Sequence, residues 1–85
     1  MGKQRQITIR GIVIAAAWKN NGDIAAVDIA GYDEKRYRVA NDSTGRRLRQ
    51  LVQERLVVDG VVATTAGQMT MHVKRFHFDH ATPLE

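Results

Sequence analysis

The sequence predicts a mainly β domain: five strands closed into a small Greek-key barrel, in the order β-β-β-α-β-β, with one short helix between the third and fourth strands. Three observations carry this. Segments of strand period recur along the chain, separated by turn residues. Glycines stand inside two of those segments, at 11 and 60. One stretch alone, Leu48, Leu51 and Val52, repeats its apolar residues at spacing three and four, as a helix does.

At 85 residues the chain makes one small domain, and only about 60% of the unfolded surface of so short a chain can be buried. The domain is expected over 1–83, with Leu84-Glu85 as the remnant of a cloning tag. No run approaches the ~20 apolar residues of a membrane span. Met1-Gly2-Lys3-Gln4-Arg5-Gln6 is charged without an apolar stretch behind it, so no signal peptide is expected and a cytoplasmic location is favoured. There is no cysteine, which excludes disulfides and thiolate metal sites.

Ile7-Thr8-Ile9-Arg10 alternates apolar and polar, and Ile12-Val13-Ile14 continues past Gly11 as a run apolar on both faces. The β-branched residues before Ala15-Ala16-Ala17-Trp18 favour strand there over helix. Asn20-Asn21-Gly22-Asp23 is the strongest hairpin signal, because Asn and Gly tolerate the positive φ that tight turns need. The second strand runs from Ile24 to Ala30, with Val27 and Ile29 on one face and Asp28 on the other. Gly31-Tyr32-Asp33-Glu34 turns the chain into Arg36-Tyr37-Arg38-Val39, with Tyr37 and Val39 inward and both arginines outward.

Asn41 to Gly45 breaks the strand pattern, and Asp42, Ser43 or Thr44 can cap a helix of two or three turns ending near Gln53. Leu56 to Ala63 is the fourth strand, Ala66-Gly67-Gln68 a turn, and Met69-Thr70-Met71-His72-Val73 the start of the fifth. Phe76 and Phe78 have the opposite parity to Met69, Met71 and Val73, so a bulge near Lys74-Arg75 is needed to restore the phase. Tyr37, Phe76 and Phe78 are expected in the core.

Glycine weakens a flat strand, so Gly11 and Gly60 mark strands that bend or bulge. A first strand bent at Gly11 can pair with both halves of a closed sheet. Closure also removes the exposed edges that an open sheet of this size would leave.

This arrangement resembles the OB-fold from about Gln6 to Phe78. The residues that carry the likeness are Gly11, Asn21-Gly22, Gly45 with Leu48 and Leu51, and Gly60. The chain is also similar to small bacterial OB-like domains whose sequences run G-x-V and then V-x-N-D-x-x-G before the helix. Here those elements are Gly11-Ile12-Val13 and Val39-Ala40-Asn41-Asp42-Ser43-Thr44-Gly45. The resemblance implies a scaffold whose second and third strands and flanking loops bind single-stranded nucleic acid in many members.

Thirteen Lys and Arg against nine Asp and Glu give a net charge of +4, which suits anionic partners and also serves plain solubility. Mapped on the OB-like scaffold, the candidate nucleic-acid residues are Trp18, Lys19, Tyr32, Arg36 and Arg38, with Lys74 and Arg75 on the fifth strand. Aromatic rings stack on bases and cations track phosphates. Trp18 can serve that purpose or cover a mouth of the barrel. Arg46, Arg47 and Arg49 form either an anion-binding ridge, with Arg55 nearby, or the solvated face of the helix.

His72, His77 and His80 match no metal-ligand spacing, and no cofactor is expected. Ser43, the only serine, is a capping residue, and no nucleophile or paired-carboxylate motif stands out, so the expectation is a non-catalytic module. The leading expectation is weak binding of single-stranded DNA or RNA through a basic face. The alternative is a protein-interaction or structural barrel, docking on another protein or on the rest of a longer parent chain.

Overall fold

The computed structural model describes residues 3–79, so His80, Pro83 and Leu84-Glu85 lie outside the described residues. The chain runs through β1 (Lys3–Trp18), β2 (Ile24–Gly31), β3 (Arg36–Val39), α1 (Ser43–Arg47), a 3-10 turn (Leu48–Leu51), β4 (Arg55–Thr65) and β5 (Gln68–Phe78). The five strands form one sheet that closes on itself in the order β1-β2-β3-β5-β4. No helix among the described residues is long and apolar enough to cross a membrane.

Closure depends on the long first strand. Lys3 to Ile12 pairs antiparallel with β4, and Gly11 to Trp18 pairs antiparallel with β2. Gly11 and Ile12 therefore have neighbours on both edges, at the point where the strand passes from one half of the sheet to the other. A Cβ on Gly11 would stand 2.6 Å from the Ala30 carbonyl oxygen and 2.8 Å from Cγ2 of Ile29. The glycine is thus explained by close backbone approach, with no bulge in either register at that residue. On the far side, β3 pairs parallel with β5 through Arg38–Thr70 and Val39–Met71, which completes the ring.

The predicted phase change on β5 is present. Asp59 pairs with Arg75 and Gly60 with Val73, so Lys74 is the extra residue of a bulge. A second irregularity lies on the first hairpin. Ala15 faces Val27, Ala17 faces Ala26 and Trp18 faces Ile24, so Ala16 is extra on β1 and Ala25 is extra on β2.

The interior is filled by Val13, Val27, Ile29, Tyr37, Val39, Leu48, Leu56, Val58, Val62, Met71 and Val73. Phe76 packs against this cluster, but Phe78 is 42% exposed and is not core: its position at the end of β5 carries it past the filled interior. The helix is shorter and less regular than its sequence suggests, an α-helical turn followed by a 3-10 turn. So short a segment is unstable alone. It is held by Leu48, which is fully buried and worth about 2 kcal/mol, and by its cap. Asp42 caps it, accepting from the Gly45 amide at 2.8 Å. The 3-10 turn ends at Leu51, two residues short of the expected stop near Gln53, which adopts φ +78°.

Candidate nucleic-acid interface

The outer face of the β2–β3 half is built by alternation. With Tyr37 and Val39 turned inward, Arg36 and Arg38 project outward on β3. Register places Ala30 beside Arg36 and Asp28 beside Arg38. On the other edge of β2, Ile12 stands beside Ala30 and Ile14 beside Asp28, both half-buried. The face is therefore an apolar strip flanked by two arginines, with one carboxylate set into it.

That carboxylate changes the charge of the face. The Asp28 side chain is only 7% exposed, and its Oδ1 accepts from Nε of Arg38 at 2.6 Å. Arg36 lies farther off, its Nε 3.9 Å from Oδ2, and its side chain is 67% exposed. Arg38 is thus committed to Asp28, whereas Arg36 is largely available to solvent. A shallow hollow beside them is lined by Arg36, Arg38, Gln68 and Met69, at the turn between β4 and β5.

Trp18 and Lys19 occupy the tip of the β1–β2 hairpin. The turn is fixed by Lys19 N–H donating to the Asp23 carbonyl at 2.7 Å and Gly22 N–H donating to the Lys19 carbonyl at 2.9 Å. Gly22 has φ +93°, which a side chain would oppose. Trp18 is 61% exposed, so it does not cover a mouth of the closed sheet. Tyr32 lies at the other end of β2, 54% exposed, its N–H donating to the Arg10 carbonyl at 2.9 Å. Eight strand residues separate the two rings, roughly 25 Å along the strand.

Tyr37 supports the face from inside. Its ring is buried, and its Oη donates to Oδ2 of Asp33 at 2.7 Å, tying β3 to the turn that precedes it. Burial, then the bond to Asp33, pushes the Tyr37 phenol up to about 12. The same bond, helped by the amide and charge of Lys35, holds Asp33 below the usual carboxylate range.

Lys74 and Arg75 are not brought to this face. Arg38 neighbours Thr70 on β5, while Arg75 lies farther along and pairs with Asp59 of β4. Arg75 Nε donates to Asp59 Oδ2 at 2.8 Å, and the Thr8 hydroxyl donates to Oδ1 at 2.5 Å. Thr8 and then Arg75 hold the Asp59 carboxyl below its ordinary range. The bulge leaves both Lys74 and Arg75 exposed on the outer surface of the β4–β5 half.

Two arginines of the ridge are engaged. Arg47 lies 5.3 Å from the centroid of the Phe76 ring, and Arg49 donates to Asn41 Oδ1 at 3.0 Å. Arg55 opens β4. His72 and His77 are both exposed on β5, and His72 Nδ1 stands 3.8 Å from Asp42 Oδ2. No three metal-ligating side chains converge among the described residues. Arg10 is also outward on β1, and its alternation with Ile9 is the sequence signal for it. Comparison with protein-family models, curated proteins and solved structures finds no match to this chain.

Proposed function

We propose that the chain is a non-catalytic OB-fold module, a Greek-key barrel that binds single-stranded nucleic acid along the outer face of β2–β3. The strand order, the helix between β3 and β4 and the β1 strand shared by both halves support the OB-fold reading. The observation that carries the binding reading is the exposure of Trp18 and Tyr32 at the two ends of β2, beside Lys19 and Arg36. Rings of this kind stack on bases of any sequence, and the cations meet the phosphates. Sequence preference is therefore weak, with Kd of about 10⁻⁴–10⁻⁶ M at physiological salt.

A second reading is an interaction barrel for a protein partner. It is favoured by Asp28, which neutralises part of the face, and by the apolar strip of Ile12, Ile14 and Ala30. Fluorescence anisotropy of a labelled oligothymidylate, titrated with the full chain at low and at physiological salt, separates the two. Saturable binding whose log affinity falls with log salt at a slope near −1.4, roughly 0.7 for each of the two cations Lys19 and Arg36, supports the nucleic-acid reading. No binding at hundreds of micromolar protein, on the order of 10⁻⁴ M, rejects it.

A further inference from the structure

The transverse rows of the closed sheet connect the β2–β3 face to two further arginines. Arg36 stands beside Ala30, Ala30 beside Ile12, and Ile12 beside Arg55, a single row across β3, β2, β1 and β4. One step along, Tyr32 bonds to the Arg10 backbone, and Arg10 stands beside Val57 of β4. Arg10 and Arg55 are diagonal neighbours on the β1–β4 pair, about 7–8 Å apart at the backbone.

The outward arginines of the sheet differ in their surroundings. Arg38 is held by Asp28 and Arg75 by Asp59. Arg10 and Arg55 are exposed; Arg10 stands beside the uncharged Val57, and Asp79 lies beside Arg55, its N–H donating to the Arg55 carbonyl at 2.9 Å. Ile12 and Val57, half-buried between them, give an apolar floor. An exposed ring at a corner, leading onto exposed cations over an apolar floor, is the composition of a single-strand track.

We propose that the nucleic-acid track does not end with β2–β3: at Tyr32 it crosses β1, and Arg10 and Arg55 hold the phosphates of the continuing strand. This rests on the reading of β2–β3 as a nucleic-acid surface and lengthens the site beyond it. A strand too short to pass Tyr32 gains nothing from these arginines. A longer strand does.

The test compares oligothymidylates of about 4 and about 12 nucleotides, near the ends of the range that one OB-fold covers, by anisotropy with the full chain. The variants are Arg10→Gln/Arg55→Gln and the charge-keeping Arg10→Lys/Arg55→Lys, with folding checked by circular dichroism. The native chain is expected to bind the longer oligomer more tightly. The Gln variant is expected to lose about tenfold on the longer oligomer, with a salt slope shallower by about 1.4, and to bind the shorter one unchanged. The Lys variant is expected to retain most of the affinity. Equal affinity of the native chain for both lengths overturns the inference and leaves the β2–β3 reading standing. So does a Gln variant that binds the longer oligomer like the native chain. Absence of binding to either length overturns both.

Discussion

Asp28 and Arg38 face each other across the β2–β3 pair, with 2.6 Å between carboxylate and guanidinium and the carboxylate almost wholly covered. The pair holds β3, a strand of only four residues, against its neighbour. It also withdraws charge from the surface proposed to meet phosphates. Structure and binding therefore pull in opposite directions at Asp28.

Asp28→Asn is expected to separate them. Loss of a charge-assisted hydrogen bond costs up to about 1.5–3 kcal/mol, reduced here to about 1 because the Arg38 side chain is 38% exposed. Urea denaturation measures that loss. The same variant frees one positive charge, so oligothymidylate binding tightens and the salt slope steepens by about 0.7. Tighter binding by a less stable protein is the expected pairing. Weaker binding would mean that Asp28 serves the site by positioning Arg38.

Tyr37 gives the fold an alkaline limit. Its pKa in the folded chain is raised from 10.0 to about 12, so the unfolded chain loses this proton first as pH rises. The stabilisation is complete below pH 10.0 and disappears as pH climbs towards about 12. Asp33 acts in the other direction: its lowered pKa gives a contribution present at neutral pH and lost as acid protonates it in the folded chain. Tyr37→Phe removes the alkaline effect outright and weakens the acid one. Urea midpoints measured from neutral pH to about pH 12 check it; the Phe variant is expected to show the flatter alkaline limb.

Gly11 and Gly60 are expected to resist even alanine. At Gly60 a Cβ would stand 2.5 Å from the His72 carbonyl oxygen, beside the bulge. At Gly11 it would meet the Ala30 carbonyl. Backbone cannot yield as a side-chain tip can, so each substitution is expected to destabilise by about 1–3 kcal/mol, read from the urea midpoint. A result near zero at Gly11 would mean that β1 and β2 can separate there without loss.

Most of the closed sheet was legible because its segments keep phase. Met69, Met71 and Val73 against Phe76 and Phe78 change parity, and that change located the Lys74 bulge. The paired irregularities at Ala16 and Ala25 left no such mark, since alanine fits either face equally well. Phe78 kept inward parity but lies at a strand end, and parity does not report where the interior stops. The site was less legible than the fold. The sequence put Arg38 outward, yet pairing it with Asp28 needs the β2–β3 register, which the Gly31–Lys35 turn sets through the Gly31 amide and the Lys35 carbonyl at 2.8 Å. Arg10 and Arg55 lie far apart in sequence and become neighbours only when β4 closes on β1.

Trp18→Ala tests the exposed ring directly. Size alone argues for burial of an indole, yet 61% of this one is exposed at a hairpin tip. Its removal is therefore expected to leave stability within about 0.5 kcal/mol. If bases stack on it, the loss in binding is about 1–3 kcal/mol, or roughly 5- to 150-fold in Kd. Because Trp18 is the only tryptophan, its emission reports occupancy of this end of the track without a label. Quenching that saturates with the anisotropy signal is the expected result. Anisotropy without quenching would place the bound strand away from the hairpin tip, on Tyr32 and the arginines alone.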